Sequence, residues 1–231
     1  MQNKRSALIV GASGLIGQHL LNALLEDRDY DRVIVLVRKP IAFTHAKLSQ
    51  HVVEFDKLTN AAHWIKAHDV FCTLGTTMRT AGSKQAFYKV DFTYPFECAR
   101  IAKENGVNNF LVVTAIGAKP SSGVFYSRVK GELENALETL RFRSLSIFRP
   151  SFLVGERSER RIGEALGIVV FRTLGFLLVG RWKKYRAIRA QAVAEAMIEM
   201  AKHERAGKTI YESDVIQTIF DVLIERRRRA V

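Results

Sequence analysis

Tyr126 and Lys130 stand four residues apart in the run Phe125-Tyr126-Ser127-Arg128-Val129-Lys130. On a helix this spacing puts both side chains on one face, one turn apart. A phenol with a pKa near 10 is a poor base at neutral pH. An adjacent ammonium favours the phenolate and lowers that value, so the pair can exchange a proton with a hydroxyl or carbonyl oxygen. A third group should polarise that oxygen. Thr114 lies twelve residues before Tyr126 and carries the only hydroxyl in Val113-Thr114-Ala115-Ile116-Gly117-Ala118. It is expected to hold the substrate oxygen.

A second group of residues suits an anion. Gly11-Ala12-Ser13-Gly14-Leu15-Ile16-Gly17 follows a short apolar run and opens a helical pattern. The three glycines meet three demands: a tight turn, a close backbone approach to a pyrophosphate, and close packing of helix on strand. The N–H groups at Leu15 and Ile16 would open the helix toward the anion. Gly11, Ser13, Gly14, Leu15, Ile16 and Gly17 are therefore the expected dinucleotide cradle. Where an acidic residue would bind the ribose hydroxyls of NAD, this chain has Arg38-Lys39. A guanidinium forks onto a 2′-phosphate, which favours NADP(H) over NAD. Ser13 could share that phosphate. Asp56 could accept from the adenine amino group, and Leu74-Gly75-Thr76 falls where backbone must pass the cofactor. Oxidised nicotinamide would add its positive charge to that of Lys130, and Lys130 could also bind the nicotinamide ribose.

These residues need a scaffold. Ala7–Val10, Val33–Val37, His51–Phe55, Val70–Leu74, Asn109–Val113 and Leu145–Phe148 read as strands. Helical spacing covers Leu15–Leu25, about Thr93–Asn105 and Phe125–Leu140. Ala192–His203 and Val215–Arg228 follow as helices, with Lys208–Tyr211 a last strand. Wholly apolar strands alternating with helices imply a parallel sheet covered on both faces. Residues 1–150 form the expected dinucleotide-binding core. Residues 151–231 form a small C-terminal substrate-side appendage on the same domain.

Taken together, these motifs resemble the short-chain dehydrogenase/reductase superfamily. The GxxGxxG form is like its extended and atypical branches. Phe125–Glu134 and Phe148-Arg149-Pro150-Ser151 are similar to the atypical Tat-interactive-protein-like group. The resemblance covers most of the chain. It implies an α/β Rossmann-type doubly wound sheet, bound NADPH, and a Ser/Thr, Tyr and Lys site. It also implies that Pro150, with Ser151 or Phe152, passes the nicotinamide. The chain departs from the pattern twice. Val10 replaces a common Thr or Ser, and Thr114-Ala115 stands where two serines are frequent.

Composition bounds the rest. The 231 residues are 48% hydrophobic and 26% charged, as in an ordinary globular chain. Two cysteines, Cys72 and Cys98, make no disulfide framework and fit a reducing compartment. The six histidines are scattered, so no metal site is expected. The N-terminus carries no targeting pattern, and a cytoplasmic location is expected. The net charge is +13, and nine of those charges lie in residues 116–231. Anionic partners suit such a chain. Nucleic acid is not expected, because no reader motif accompanies the charge.

Residues 156–190 interleave Arg157, Arg160, Arg161, Arg181, Lys183, Lys184, Arg186 and Arg189 with apolar Ile168–Phe171 and Phe176–Val179. A lid over an apolar pocket, an anionic membrane surface patch, and an oligomer or protein-partner surface all fit them. Arg226–Arg229 reads as a solvated tail. The leading function is an NADP(H)-dependent oxidoreductase acting on an unidentified carbonyl or alcohol. The alternative is an NADPH-sensing regulatory protein with little turnover, prompted by Thr114-Ala115. A third reading is an epimerase or dehydratase with tightly held NAD.

Overall fold

Ala7, Leu8, Ile9 and Val10 have no solvent exposure at all, which only a strand covered on both faces allows. The computed structural model describes residues 4–154 and 180–229. The strands are β1 (Arg5–Val10), β2 (Tyr30–Val37), β3 (Leu48–Val52), β4 (Asp69–Cys72), β5 (Asn109–Val113), β6 (Ser144–Arg149), β7 (Leu153–Val154), β8 (Ile188–Arg189) and β9 (Gly207–Glu212). The α-helices are α1 (Leu15–Glu26), α2 (Met78–Ala81), α3 (Lys84–Tyr88), α4 (Tyr94–Glu104), α5 (Phe125–Thr139), α6 (Ala190–Lys202) and α7 (Ser213–Arg229). Seven strands form one sheet in the order β3-β2-β1-β4-β5-β6-β9, and β7 pairs with β8 apart from it. Every pairing is parallel. This is the doubly wound Rossmann-type sheet expected from the alternation. Its winding reverses between β1 and β4, where the C-terminal strand ends open a crevice.

Two apolar layers cover the sheet. On one face, Leu20 and Leu24 of α1 pack with Val193 and Met197 of α6 and Ile216 and Phe220 of α7. On the other, Leu58 and Ala61 pack with Cys98 and Ile101 of α4 and Leu133 and Leu137 of α5. Both cysteines are free and buried. β9 joins the main sheet beside β6, in register from Ser144↔Gly207 to Arg149↔Glu212.

At the N-terminal ends of the central strands, opposite the crevice, Asp69 is fully buried. It accepts from Arg5 Nε and Nη2 at 2.8 and 2.7 Å, from Tyr30 Oη at 2.7 Å and from Asn109 Nδ2 at 2.6 Å. These residues begin β1, β2, β4 and β5, so one carboxylate clamps four neighbouring strands.

Several expectations are corrected. β3 runs Leu48–Val52 rather than His51–Phe55, because it pairs with β2 from Val33↔Leu48 to Val37↔Val52. Phe55 instead opens a 3₁₀ segment, Phe55–Trp64. The helix expected from Thr93 is entered through α3 and a π turn, Lys89–Thr93. Pro95 supplies no N–H and its ring crowds the carbonyl one turn back. A π turn accommodates both at that junction. Arg226–Arg229 form the last turn of α7 and are exposed, in keeping with the solvated tail expected. Arg226 pairs with Glu199 at 3.1 Å and Arg227 with Glu195 at 2.8 Å, which ties α7 to α6. Of the basic and apolar segment 156–190, residues 156–179 lie outside the described residues, including Arg157, Arg160, Arg161, Ile168–Phe171 and Phe176–Val179. No described helix is long and apolar enough to cross a membrane.

Candidate active site

The glycine turn joins β1 to α1 at the crevice. Gly11 has φ +98, and a Cβ there would lie 2.7 Å from the Thr73 carbonyl carbon. At Gly17 it would lie 2.1 Å from the Gly11 oxygen, so helix and turn touch only because no side chain intervenes. The Gly14 N–H closes the turn onto the Gly11 carbonyl at 3.0 Å. No side chain caps α1 and no acid occupies its first turn. Ser13 and Gly14 are exposed at the mouth, while Ile16 and Gly17 are buried beneath. Bare N–H groups at a helix start, with the space that three glycines leave, fit a pyrophosphate.

The flanking candidates come from neighbouring strand ends. Arg38 and Lys39 follow β2 and are exposed. Asp56 is also exposed, but its carboxylate is occupied by Lys89 Nζ at 2.7 Å and Tyr94 Oη at 2.9 Å. Both contacts hold its pKa below the usual carboxylate range. Leu74-Gly75-Thr76 follows β4 beside the turn, and Thr73 Oγ1 donates to the Gly11 carbonyl at 3.1 Å. Pro150 is buried after β6, and its carbonyl accepts the Ile116 N–H at 3.0 Å.

Tyr126 and Lys130 sit in the first two turns of α5, as their spacing requires. Lys130 has a partner that the sequence did not reveal. Its Nζ lies 2.7 Å from Asp91 Oδ1, with side-chain exposures of only 4% and 1%. Asp91 comes from the π turn, and its Oδ2 accepts the Thr76 N–H at 2.9 Å. A Cβ on Gly75 would lie 3.6 Å from Lys130 Nζ, so the ion pair adjoins the loop after β4. Burial works against the ammonium, but Asp91, with Tyr126 adding, holds the Lys130 pKa above its ordinary value. Burial lifts the Asp91 carboxyl, against Lys130 and the Thr76 N–H.

The expected depression of the Tyr126 pKa is therefore corrected for the protein without cofactor. Burial raises it, Lys130 lowers it, Asp91 raises it again, and the net direction is upward. The Tyr126 ring packs on Phe87 of α3, with centroids 5.6 Å apart.

Thr114 follows β5 and is 4% exposed. Its Oγ1 donates to Glu134 Oε1 at 2.7 Å. In the protein without cofactor or substrate that proton is directed at α5. Glu134 also receives the Arg149 guanidinium, with Nε to Oε1 at 2.9 Å and Nη2 to Oε2. One buried carboxylate so fastens α5 to the ends of β5 and β6. Glu134 continues the Tyr126, Lys130 stripe by four residues. That spacing is the one signal by which it could have been found.

This fold and these residues define a dinucleotide-binding protein of the Rossmann type with Tyr126 and Lys130 one turn apart on α5. Comparison with known proteins narrows the class. Residues 11–153 match the NAD(P)H-binding family. Protein HTATIP2 of Rattus norvegicus is 38% identical over 202 residues, covering 86% of this chain and 81% of that protein. The mitochondrial protein FMP52 of Debaryomyces hansenii is 32% identical over 206 residues, covering 85% and 87%. The Bordetella bronchiseptica enzyme WbmH in complex with NAD+ shares the fold, with a TM-score of 0.69 at 16% identity over 99% of this chain and 83% of that one. The chain belongs to the NAD(P)H-binding family and, within it, to the atypical short-chain dehydrogenase/reductases of the HTATIP2 type. The mitochondrial designation of the FMP52 relatives overturns the expectation of a plain cytoplasmic location.

Proposed function

We infer that the protein is an NADP(H)-dependent oxidoreductase acting on a carbonyl/alcohol pair. The observation that carries this reading is the Tyr126-Lys130 pair beside the loop after β4, at the point where the sheet reverses its winding. A bound nicotinamide would supply or accept hydride there. The glycine turn and the bare start of α1 would hold the pyrophosphate. Arg38, exposed after β2 where an acid would favour NAD, supports NADP(H) through a 2′-phosphate contact. Tyr126 would exchange the proton with the substrate oxygen, and Lys130 would orient it.

A second reading has its own support. Thr114 gives its proton to Glu134, and its neighbour is Ala115, so the end of β5 offers no hydroxyl donor to a substrate. A site that binds NADPH but turns over little would suit a cofactor-sensing protein. The test begins with cofactor-free protein titrated with NADPH and NADH by thermal shift, followed by a panel of carbonyl compounds. Stabilisation by NADPH, with turnover abolished in Tyr126→Phe at cofactor affinity within a few-fold, supports the oxidoreductase. Equal turnover in that variant refutes the role of Tyr126. Binding without turnover across the panel favours the sensor.

A further inference from the structure

We propose that the substrate is an aldehyde or ketone carrying an anionic group, a carboxylate or phosphate, on an apolar body, and that Lys84 and Lys119 at the mouth of the crevice hold that anion. This rests on the oxidoreductase reading and adds to it a substrate class.

Three segments meet at the C-terminal strand ends near Tyr126. Residues 73–90 follow β4, and Phe87 within them packs on the Tyr126 ring with centroids 5.6 Å apart. Residues 114–131 follow β5 and carry Tyr126 itself. Residues 180–189 run along the chain that leaves β6. There Ser151 Oγ donates to the Arg186 carbonyl, and the Ile188 N–H donates to the Phe152 carbonyl at 2.9 Å. Each segment holds at least three lysines or arginines, and none holds an aspartate or glutamate.

The acids that reach these segments from elsewhere are engaged one by one. Asp91 holds Lys130 and Asp56 holds Lys89, each at 2.7 Å, and Glu212 holds Lys184 at 2.9 Å. Glu132 stands 3.9 Å from Arg128. Lys84, Lys119 and Lys183 are left, one from each segment. All three are exposed, and none forms an ion pair among the described residues. Lys84 Nζ lies 5.5 Å from the centre of the Phe125 ring, beside Tyr126 in the chain. The Lys119 N–H donates to the Ser127 carbonyl at 3.0 Å, which fixes its loop against the start of α5.

The cofactor does not account for these charges. Its phosphates would take the glycine turn after β1 and Arg38 after β2. The acid-free segments follow β4, β5 and β6, on the other side of the point where the winding reverses. Like charges gathered at one crevice repel one another and raise the local concentration of an anion. The same rim is apolar between its cations. Val124, just before α5, is 62% exposed, Phe152 is 56% and Trp182 58%. Ammonium groups interleaved with bare apolar side chains suit a molecule with an apolar body and a charged group.

The test measures binding and so does not depend on turnover. Protein saturated with NADP+ has its cofactor subsites filled and no hydride to give. It is titrated calorimetrically with benzaldehyde, para-carboxybenzaldehyde and para-formylphenyl phosphate. At least one charged aldehyde should bind about tenfold or more tightly than benzaldehyde at low salt, and the advantage should shrink as salt is raised. The tighter of the two identifies the anionic group. Lys84→Glu and Lys119→Glu should each weaken that aldehyde about fivefold or more, with benzaldehyde and NADP+ held within a few-fold. Lys66→Glu makes the same charge change at an exposed residue ahead of β4, at the opposite ends of the strands, and should leave every affinity within about twofold. Equal binding of the three aldehydes would overturn the proposal. So would an advantage that survives in either variant, or one that Lys66→Glu reduces as much as they do. Protein that binds neither NADPH nor NADP+ would undo the oxidoreductase reading and this inference together, whereas cofactor binding without preference for the anion removes this inference alone.

Discussion

Replacing Thr114 by valine separates a substrate-orienting hydroxyl from a structural one. Valine keeps the branched shape and removes only the oxygen. The bond that is lost runs at 2.7 Å to the Glu134 carboxylate, and the donor is 4% exposed. A hydrogen bond to a charged partner contributes about 1.5–3 kcal/mol. Glu134 keeps its fork to Arg149, so the carboxylate is not stranded and the larger penalty of a broken ion pair does not apply. For a chain of this size each kcal/mol moves Tm by about 2–4 °C, which places the fall at roughly 3–12 °C. Thr114→Ser should recover most of it. NADPH affinity should stay within a few-fold, because the bond fastens α5 to β5 without touching the glycine turn. A hydroxyl that instead stabilised the transition state would cost about 10²–10³ in kcat with no change in Tm. Differential scanning calorimetry with NADPH titration checks this directly. An unchanged Tm in Thr114→Val, with turnover lost on a substrate from the carbonyl panel, refutes the structural assignment.

Other expectations follow from the same geometry. Arg38→Ala should weaken NADPH about ten- to a hundred-fold and NADH within a few-fold, measured by titration calorimetry; equal losses would remove Arg38 from the phosphate site. Gly17→Ala puts a methyl 2.1 Å from the Gly11 oxygen and 2.8 Å from the Ala12 Cα, both backbone atoms that cannot turn aside. Its NADPH affinity should fall at least about tenfold, while Gly123→Ala, with nothing within 4 Å, should be silent in the same titration. Asp69→Asn removes one of the two carboxylates that Arg5 pairs with, Glu204 at 2.7 Å being the other, and should cost about 1.5–3 kcal/mol in denaturant unfolding. Cofactor affinity should be kept, because that clamp lies at the opposite ends of the strands from the glycine turn.

What was legible in the sequence was what depends on near neighbours along the chain. The buried strands could be read because a sheet covered on both faces demands unbroken apolar runs, as at Ala7–Val10. The glycine turn could be read because its constraints act within seven residues. β3 was displaced because its own residues are half-polar and pairing with β2 decides its register. The start of α4 was placed to within a residue because Pro95 reads as a helix beginning, whereas what precedes it was missed. A π turn carries the helix through that junction from α3.

The candidate site divides along the same line, and the division changes its chemistry. Tyr126 and Lys130 are one turn apart, so their neighbourhood is fixed by helix geometry alone. The acid that acts on them is not local. Asp91 reaches Lys130 from another helical segment, and Glu134 acts on Thr114 and Arg149 across the ends of two strands. A reading confined to the motif therefore finds a cation beside a phenol and expects phenolate. The fold supplies a carboxylate that answers the cation and partly buries the phenol, and the direction of its shift is upward. The carboxylate that takes the Thr114 proton likewise turns an apparent substrate donor into a fastening between helix and strand. The residue types in the motif define the possible reaction, and contacts made across the fold, Asp91 to Lys130 and Glu134 to Thr114 and Arg149, hold those residues in place.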